Sequence, residues 1–361
     1  MHFFTFATKD NTLYEASASM NTGLDEVLEV RKDMNPDGSV IKLSRSIIQF
    51  DLTTISSSIV NGTIPSSRKF YLNLYDANPT ELQVEQSLYT YPVSKSWSMG
   101  QGTLYDDPVT TEGSSWAYTD GLTGGSTWVS GSLTSGGTWY SGSGYVGSQS
   151  FSLETTDLRM DVTDIVNKWL DGTIPNAGLM LKRSVSDEAS TTSLGNFNFF
   201  SRDTNSVYPP KLEVAWDDSS WSTGSLSALT GANLDDMNVY TKSFRSEYKQ
   251  TGKTKIRLVG KERFPTRTWA TASTDSTIVK TLPSASTYYS IRDSYTEDII
   301  IPFDNYSKVS CDSTGNYFNL WLDGLQPERH YRVLFKVVSG SNTAGETVQY
   351  FDENWNFRVV R

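Results

Sequence analysis

Only two histidines and one cysteine are available in this 361-residue chain as an imidazole base or a thiol nucleophile. His2 lies near the start, and His330 sits inside "LQPERHY". A Ser-His-Asp relay needs the imidazole between an activated hydroxyl and an orienting carboxylate, and neither histidine has a nucleophile-like neighbourhood. Structural or solvent-facing roles are expected for both. Cys311, in "KVSCDSTG", has no histidine in a thiolate-generating motif, so a buried structural thiol is expected. Adjacent acids occur at Asp106-Asp107, Asp217-Asp218 and Asp235-Asp236. Glycoside hydrolysis requires two carboxyls at a set separation in a cleft, one with a raised pKa. Neighbouring acids in polar turns instead stay solvated or cap helices, so the expectation is a protein that is not an enzyme. "NPDG" (35–38) and "NLDDMN" (233–238) carry oxygen ligands without an EF-hand spacing. Structural calcium is therefore the one cofactor that the sequence leaves open. No Cys/His set suits zinc, and no phosphate-binding or dinucleotide fingerprint is present.

Aromatic residues offer a second kind of chemistry. Residues 120–150 are rich in Gly and Ser, and "GGSTWVSGS" is echoed by "GGTWYSGSG", with Trp128 and Trp139 in corresponding places. Flat apolar rings beside hydrogen-bonding groups are what sugar recognition uses, and buried aromatics also dominate protein interfaces. Trp128, Trp139 and Tyr140 are accordingly the candidate interface or ligand residues, with contact to protein the favoured use. Lys253, Lys255, Arg257, Lys261 and Arg263 cluster in the second half. Lys255 and Arg257 would share one strand face, which is either solvated or turned to an acidic neighbour.

These groups must be positioned by strands. Aromatics make up 12% of the chain and charged residues only 20%, while long helical patterns are absent, a mix that favours sheets and turns. Strands are read at 44–52, 68–76, 178–182, 196–201 and 210–216, then at 254–260, 298–303, 317–338 (two strands) and 354–360. In 68–76, Phe70, Leu72 and Leu74 fall on one face. The tetrapeptide Gly-Thr-Ile-Pro recurs at 62–65 and 172–175, which we read as shared turn chemistry. Residues 217–236 are small and polar, the signature of a linker. The domains expected are thus 1–216, with an insertion at 120–150, and 237–361.

The net charge of −10 is carried entirely by the first 216 residues, because 17 basic and 17 acidic residues cancel beyond them. An acidic surface repels phosphate backbones, which argues against nucleic acid as a partner. No apolar run is long enough to span a membrane. One cysteine rules out an internal disulfide, and the opening "MHFFTFATKD" lacks the basic and apolar regions of a signal peptide. Synthesis in a cytoplasm is expected.

One segment breaks the β pattern. In "DVTDIVNKWL" (161–170), Val162, Ile165, Val166, Trp169 and Leu170 form one face of a helix shorter than three turns. Asp161 is placed to cap it and Gly172 to stop it. So short a helix must dock to persist in water, and the open end of a sandwich is the obvious surface, with Trp169 as its marker. Here the sequence resembles the DNRLRE-type module, a jelly-roll-like β-sandwich related to carbohydrate-binding modules. "MNTGLDEVLEV" (20–30), "RSIIQFDL" (45–52), "VSKSW" (93–97), "VTTEGSSW" (109–116), "DVTDIVNKWLDGTIPNAGLMLK" (161–182), "FFSRD" (199–203) and "PKLEV" (210–214) match its pieces in order. The long Gly/Ser/Trp insertion departs from the pattern.

In the second half, "LQPERHY" has the L-x-P-x-x-x-Y spacing of a tyrosine corner, in which the Tyr331 hydroxyl would bond back to its own turn. That resembles fibronectin type III-like sandwiches. The expected fold is all-β: a jelly-roll-like sandwich with one short capping helix, followed by an immunoglobulin- or fibronectin III-like one. An acidic, disulfide-free tandem of this kind is similar to structural proteins of tailed-phage virions, marine phages in particular. The resemblance implies residence in the virion (tail, neck or baseplate) and contacts with other virion proteins and with copies of itself. The alternatives are adhesion to host surface glycans and decoration of a capsid surface.

Overall fold

The computed structural model describes residues 1–35, 41–105, 110–121, 124–130, 132, 134–229, 237–263, 279–339 and 347–361. The chain is all-β and forms two compact units, Thr5–Val214 and a second made of Met1–Phe4 with Ala215–Arg361. The first four residues thus cluster with the C-terminal unit: Phe4 belongs to its core, and Phe3 meets Trp321 edge-on.

The first half contributes β1 (His2–Tyr14), β2 (Val27–Met34), β3 (Ile41–Phe50), β4 (Lys69–Leu74), β5 (Gln86–Pro92) and β6 (Tyr118–Asp120). It continues with β7 (Ser126–Thr127), β8 (Gly147–Phe151), β9 (Leu158–Asp161), β10 (Leu179–Lys182), β11 (Gly195–Phe200) and β12 (Lys211–Ala215). Ten of these strands run β8-β5-β10-β3-β1-β12-β4-β9, with β2 joined to β3 and β11 to β2. The two ends of that path meet through one side chain. Gln149 on β8 accepts the Arg159 amide at 2.8 Å and donates to Asp157 O at 3.1 Å. Backbone groups at these ends are satisfied by an amide side chain that imitates a strand partner.

Three helices, not one, interrupt the strands among the described residues: α1 (Thr53–Val60), α2 (Thr163–Leu170) and α3 (Val185–Ala189). The anticipated helix is α2, which starts at Thr163 and buries Ile165, Val166 and Trp169. Helix α1 escapes a propensity reading because Thr-Thr-Ile-Ser-Ser-Ser-Ile-Val is built from poor helix formers. Its existence follows from a repeat. Stretches 51–65 and 161–175 agree at Asp, Thr, Ile, Gly, Thr, Ile and Pro, and their backbones follow one plan. Asp51 and Asp161 each accept the amide of the threonine two residues on, at 2.9 Å. Gly62 and Gly172 turn the chain at φ of 72° and 77°. Ile64 N–H then reaches Ser58 O at 3.1 Å, and Ile174 N–H reaches Lys168 O at 3.2 Å. The shared tetrapeptide is therefore the tail of a cap–helix–turn unit used twice. Ile55 and Ile64 in one copy, and Ile165 and Ile174 in the other, are buried and dock each helix.

The C-terminal unit contains β13 (Met237–Lys242), β14 (Glu247–Lys249), β15 (Lys253–Glu262), β16 (Thr287–Asp293) and β17 (Ile299–Ile301). β18 (Ser310–Asp312), β19 (Gly315–Trp321), β20 (His330–Ser339) and β21 (Thr347–Val360) complete it. The two sheets run β13-β15-β19-β18 and β14-β21-β20-β16-β17. A four-stranded sheet facing one built on β16, β20 and β21 is the immunoglobulin-type arrangement. The tyrosine corner is present: the buried Tyr331 hydroxyl, at the start of β20, donates to Gln326 O at 3.0 Å. Within the expected linker, Trp221 bridges to Cys311 and Ser222 N–H donates to Cys311 O at 3.0 Å. Residues 217–229 are thus bound to this sandwich, and 230–236 lie outside the described residues.

Candidate functional site

The aromatic insertion is a lid on its own module. Leu13, Leu43, Ile47 and Met180 present one face of β1, β3 and β10, and Trp97, Trp116 and Trp128 complete that core from the lid side. Trp128 is fully buried, and its indole N–H donates to Ser115 O at 2.8 Å. Trp128 is thus not available as the interface or ligand residue expected from the sequence: no face of the ring is left for a ligand or a partner. Few aliphatic residues are needed in the insertion because large rings supply the apolar area instead.

Two buried amides, Asn11 on β1 and Asn21 in the turn after it, fasten residues 99–114 beside the lid. Asn11 donates to Ser114 O (2.7 Å) and Ser114 Oγ (2.8 Å), and accepts from Thr22 N (3.1 Å) and Oγ1 (2.9 Å). Asn21 donates to Met99 O and Ser114 O, both at 2.7 Å, and accepts from Gly23 N (3.3 Å) and Gly102 N (2.8 Å). Every hydrogen-bonding position of the Asn21 side chain is occupied. The glycines around it are sterically required, since a Cβ on Gly102 would come within 2.2 Å of Asn21 O.

Beside this core lies a stack of cations and rings. The Arg45 guanidinium stands 4.7 Å from the Trp116 ring and 5.1 Å from Trp139, and Lys182 Nζ stands 4.9 Å from Trp139. Glu188, delivered by α3, takes Arg45 Nε at 3.0 Å and Nη2 at 2.8 Å, and Lys182 Nζ at 2.9 Å. Cross-strand register places Lys182 next to Arg45 on the lid-facing side. Burial pulls the Lys182 pKa down, against the carboxylate of Glu188 that favours the charged form. The stack is a locking device, in which two desolvated cations are held by one carboxylate and two indoles. Trp139 is half-buried here, and Tyr140 stacks on Tyr145 at 5.9 Å with its amide bonded to Pro92 O. The sequence placed these aromatics together and missed Arg45, Lys182 and Glu188. A usable signal was the basic residue at the inward position of each otherwise apolar strand.

Two basic residues of the second half, Lys255 and Arg257, are paired within the molecule. Lys255 and Arg257 do share a face of β15, and Asp312 binds Arg257 with both oxygens at 2.9 Å and Lys255 at 3.1 Å. Arg257 and Thr314 hold the Asp312 carboxyl far below the usual carboxylate range. The acidic neighbour of this patch is Asp312 itself. Of the remaining candidates, His2 is buried beside Asp304 at 3.3 Å, His330 meets Tyr295 edge-on, and Cys311 is buried. Asp217 accepts from Ser219 N at 2.9 Å, Asp218 lies 3.4 Å from Asn319 Nδ2, and neither pairs with the other as an acid/base couple would. Asp106-Asp107, Asp235-Asp236 and most of both calcium-like turns lie outside the described residues. Among the described residues no group of three His, Cys, Asp or Glu is arranged to hold a metal.

What the C-terminal sandwich does offer outward is an open sheet edge. Among the described residues β17 is the last strand of its sheet, paired only with β16, and its sequence is Ile-Ile-Ile. Ile299 is 52% exposed, and Tyr295, in the turn leading to it, is 78% exposed. Unpaired backbone groups along an apolar edge are a template for a further strand. Compared with protein-family models and with curated proteins, the chain matches none.

Proposed function

We propose that this is a non-enzymatic structural protein of a tailed-phage virion, which joins neighbouring subunits by strand addition. The supporting observation is the open β17 edge, with half-exposed Ile299 and the exposed ring of Tyr295 beside it. An added strand gains main-chain hydrogen bonds for affinity and side-chain pockets for register. The buried Trp128, the cation stack and the Lys255–Arg257 pair are satisfied internally, so the burden of assembly falls on edges. The partners in this reading are other virion proteins and copies of the same chain, and many weak contacts in a symmetric particle add to a strong one.

Deleting residues 120–150 does not test this reading, because the deletion removes Trp128 from the core. The diagnostic changes are Ile299→Lys and Ile299→Glu, each of which puts a charge on the exposed apolar edge and bars a neighbouring strand. Electron microscopy of particles assembled with each variant should show lost occupancy while the isolated variants remain folded. Full occupancy with both variants would overturn the proposal.

A further inference from the structure

We propose that the strand added to β17 is β14 of a second copy of this chain, so that the five-stranded sheet continues from one molecule into the next. The inference rests on the assembly reading above and names its partner. β14 and β17 are the two ends of the sheet β14-β21-β20-β16-β17. One copy's β17 and the next copy's β14 therefore meet as opposite ends of equivalent sheets.

The strand directions suit this pairing. β14 runs parallel to β21, whereas β20, β16 and β17 each run antiparallel to the strand before them. β17 thus points against β14, and two copies set side by side in the same sense pair these edges antiparallel. Each edge also presents main-chain groups outward. Ser246 O accepts from Arg358 N–H at 2.7 Å, and Gln250 N–H donates to Val360 O at 2.8 Å. Residues 246, 248 and 250 hence turn their backbone towards β21, and Glu247 turns its N–H and C=O away from it. On the other edge Asp293 N–H donates to Asp298 O at 2.9 Å, and the next pair is Arg292 with Ile299. Alternation along the ladder leaves the Ile299 N–H and C=O pointing away from β16. Ile299 and Glu247 can therefore exchange both hydrogen bonds as one closely spaced pair.

Charge favours this edge over its alternatives. Residues 293–304, around β17, hold Asp293, Glu297, Asp298 and Asp304 and no basic residue. Residues 242–253, around β14, hold Lys242, Arg245, Lys249 and Lys253 against Glu247 alone. Arg245 and Lys249 are exposed and belong to no ion pair among the described residues. With Ile299 opposite Glu247, antiparallel register sets the acidic 297–298 turn beside Lys249. A contact between two β17 edges would instead bring two acidic turns together. Joining opposite ends is heterologous, and its repetition gives a ring or an open chain of copies.

Two hydrogen bonds and one apolar side chain make a weak contact, so the test traps it covalently. Ile299→Cys and Glu247→Cys are made in separate full-length chains, both at exposed positions, with the native Cys311 buried. The Cα atoms of a directly opposed pair lie within disulfide reach. Under mild oxidation a mixture of the two should form the mixed dimer roughly tenfold faster than either chain links to itself. Equal rates, or Ile299→Cys chains linking fastest to one another, would overturn the inference. If the mixture gains nothing while Ile299→Lys still empties the particle, strand addition stands and its partner is a different protein. If Ile299→Lys and Ile299→Glu leave occupancy full, the assembly reading falls and this inference with it.

Discussion

Asp10 should make the N-terminal sandwich less stable as pH rises from about 4 to about 7, and Asp10→Asn should remove that loss. Asp10 lies on β1 opposite Ile48, is 1% exposed, and accepts the Arg202 amide at 2.7 Å. Burial pushes its pKa up to about 7, against the hydrogen bond from the Arg202 backbone, with the charge of Asp203 adding and that of Arg202 subtracting. An unfolded aspartate titrates near 3.9. The folded state therefore binds the proton more tightly, and stability is full below about pH 4. It declines as pH rises towards 7, because only the unfolded chain releases the proton freely, and it levels off above that value. At about 1.4 kcal/mol per pH unit over roughly three units, the loss is about 4 kcal/mol. Asparagine keeps an oxygen for the Arg202 amide and cannot ionise. The variant should match the wild type near pH 4 and exceed it by about 2–4 kcal/mol at pH 8. Urea unfolding of both proteins, followed by tryptophan emission from pH 4 to 8.5, measures the difference. A difference that does not grow with pH, or a variant weaker at pH 8, would refute the reasoning, because Asp10 would then be ionised and solvated in the folded state.

Two further perturbations test the lid. Glu188→Gln leaves Arg45 and Lys182 buried without their shared carboxylate, at an expected cost of about 3–5 kcal/mol. Replacing Arg45, Lys182 and Glu188 together by Met, Met and Leu should recover most of it, and a loss below ~1 kcal/mol in the single variant by urea unfolding would sink the locking role. Asn21→Asp turns a carboxylate oxygen towards the carbonyls of Met99 and Ser114. It should cost about 3 kcal/mol and speed amide hydrogen exchange across 97–119 first, and unchanged exchange there would contradict the fastening described for Asn21.

The sequence discloses some parts of this molecule more readily than others, and the division is physical. Alternation of period two marks a strand wherever one face is buried, so Phe70, Leu72 and Leu74 are legible and all are buried. The tyrosine corner is equally legible, because a hydroxyl bonding five residues back is a local device. Helix α1 is not, since its Ser- and Thr-rich sequence disfavours the helix that docking of Ile55 and Ile64 imposes. Its legible trace was the second copy, where Trp169 and Val166 give the same unit a visible apolar face. The lid fails for a different reason. A tryptophan that closes its own core and one that anchors a partner both need a flat apolar surface, and composition cannot say whose surface that is. What separates the two is complementary chemistry elsewhere in the chain. Arg45 and Lys182 occupy inward positions of apolar strands, and each needs rings and a carboxylate that the sheet itself lacks. Gly100, Gly102 and Gly113 leave space that only a buried polar side chain such as Asn21 fills. Charges and glycines at otherwise unsuitable positions thus identify the lid as intramolecular. The same logic supports the proposed partner surface by contrast. At β17 no inward charge, covering loop or companion side chain closes the edge among the described residues. The backbone of an apolar strand that its own chain leaves unpaired is best satisfied by another chain.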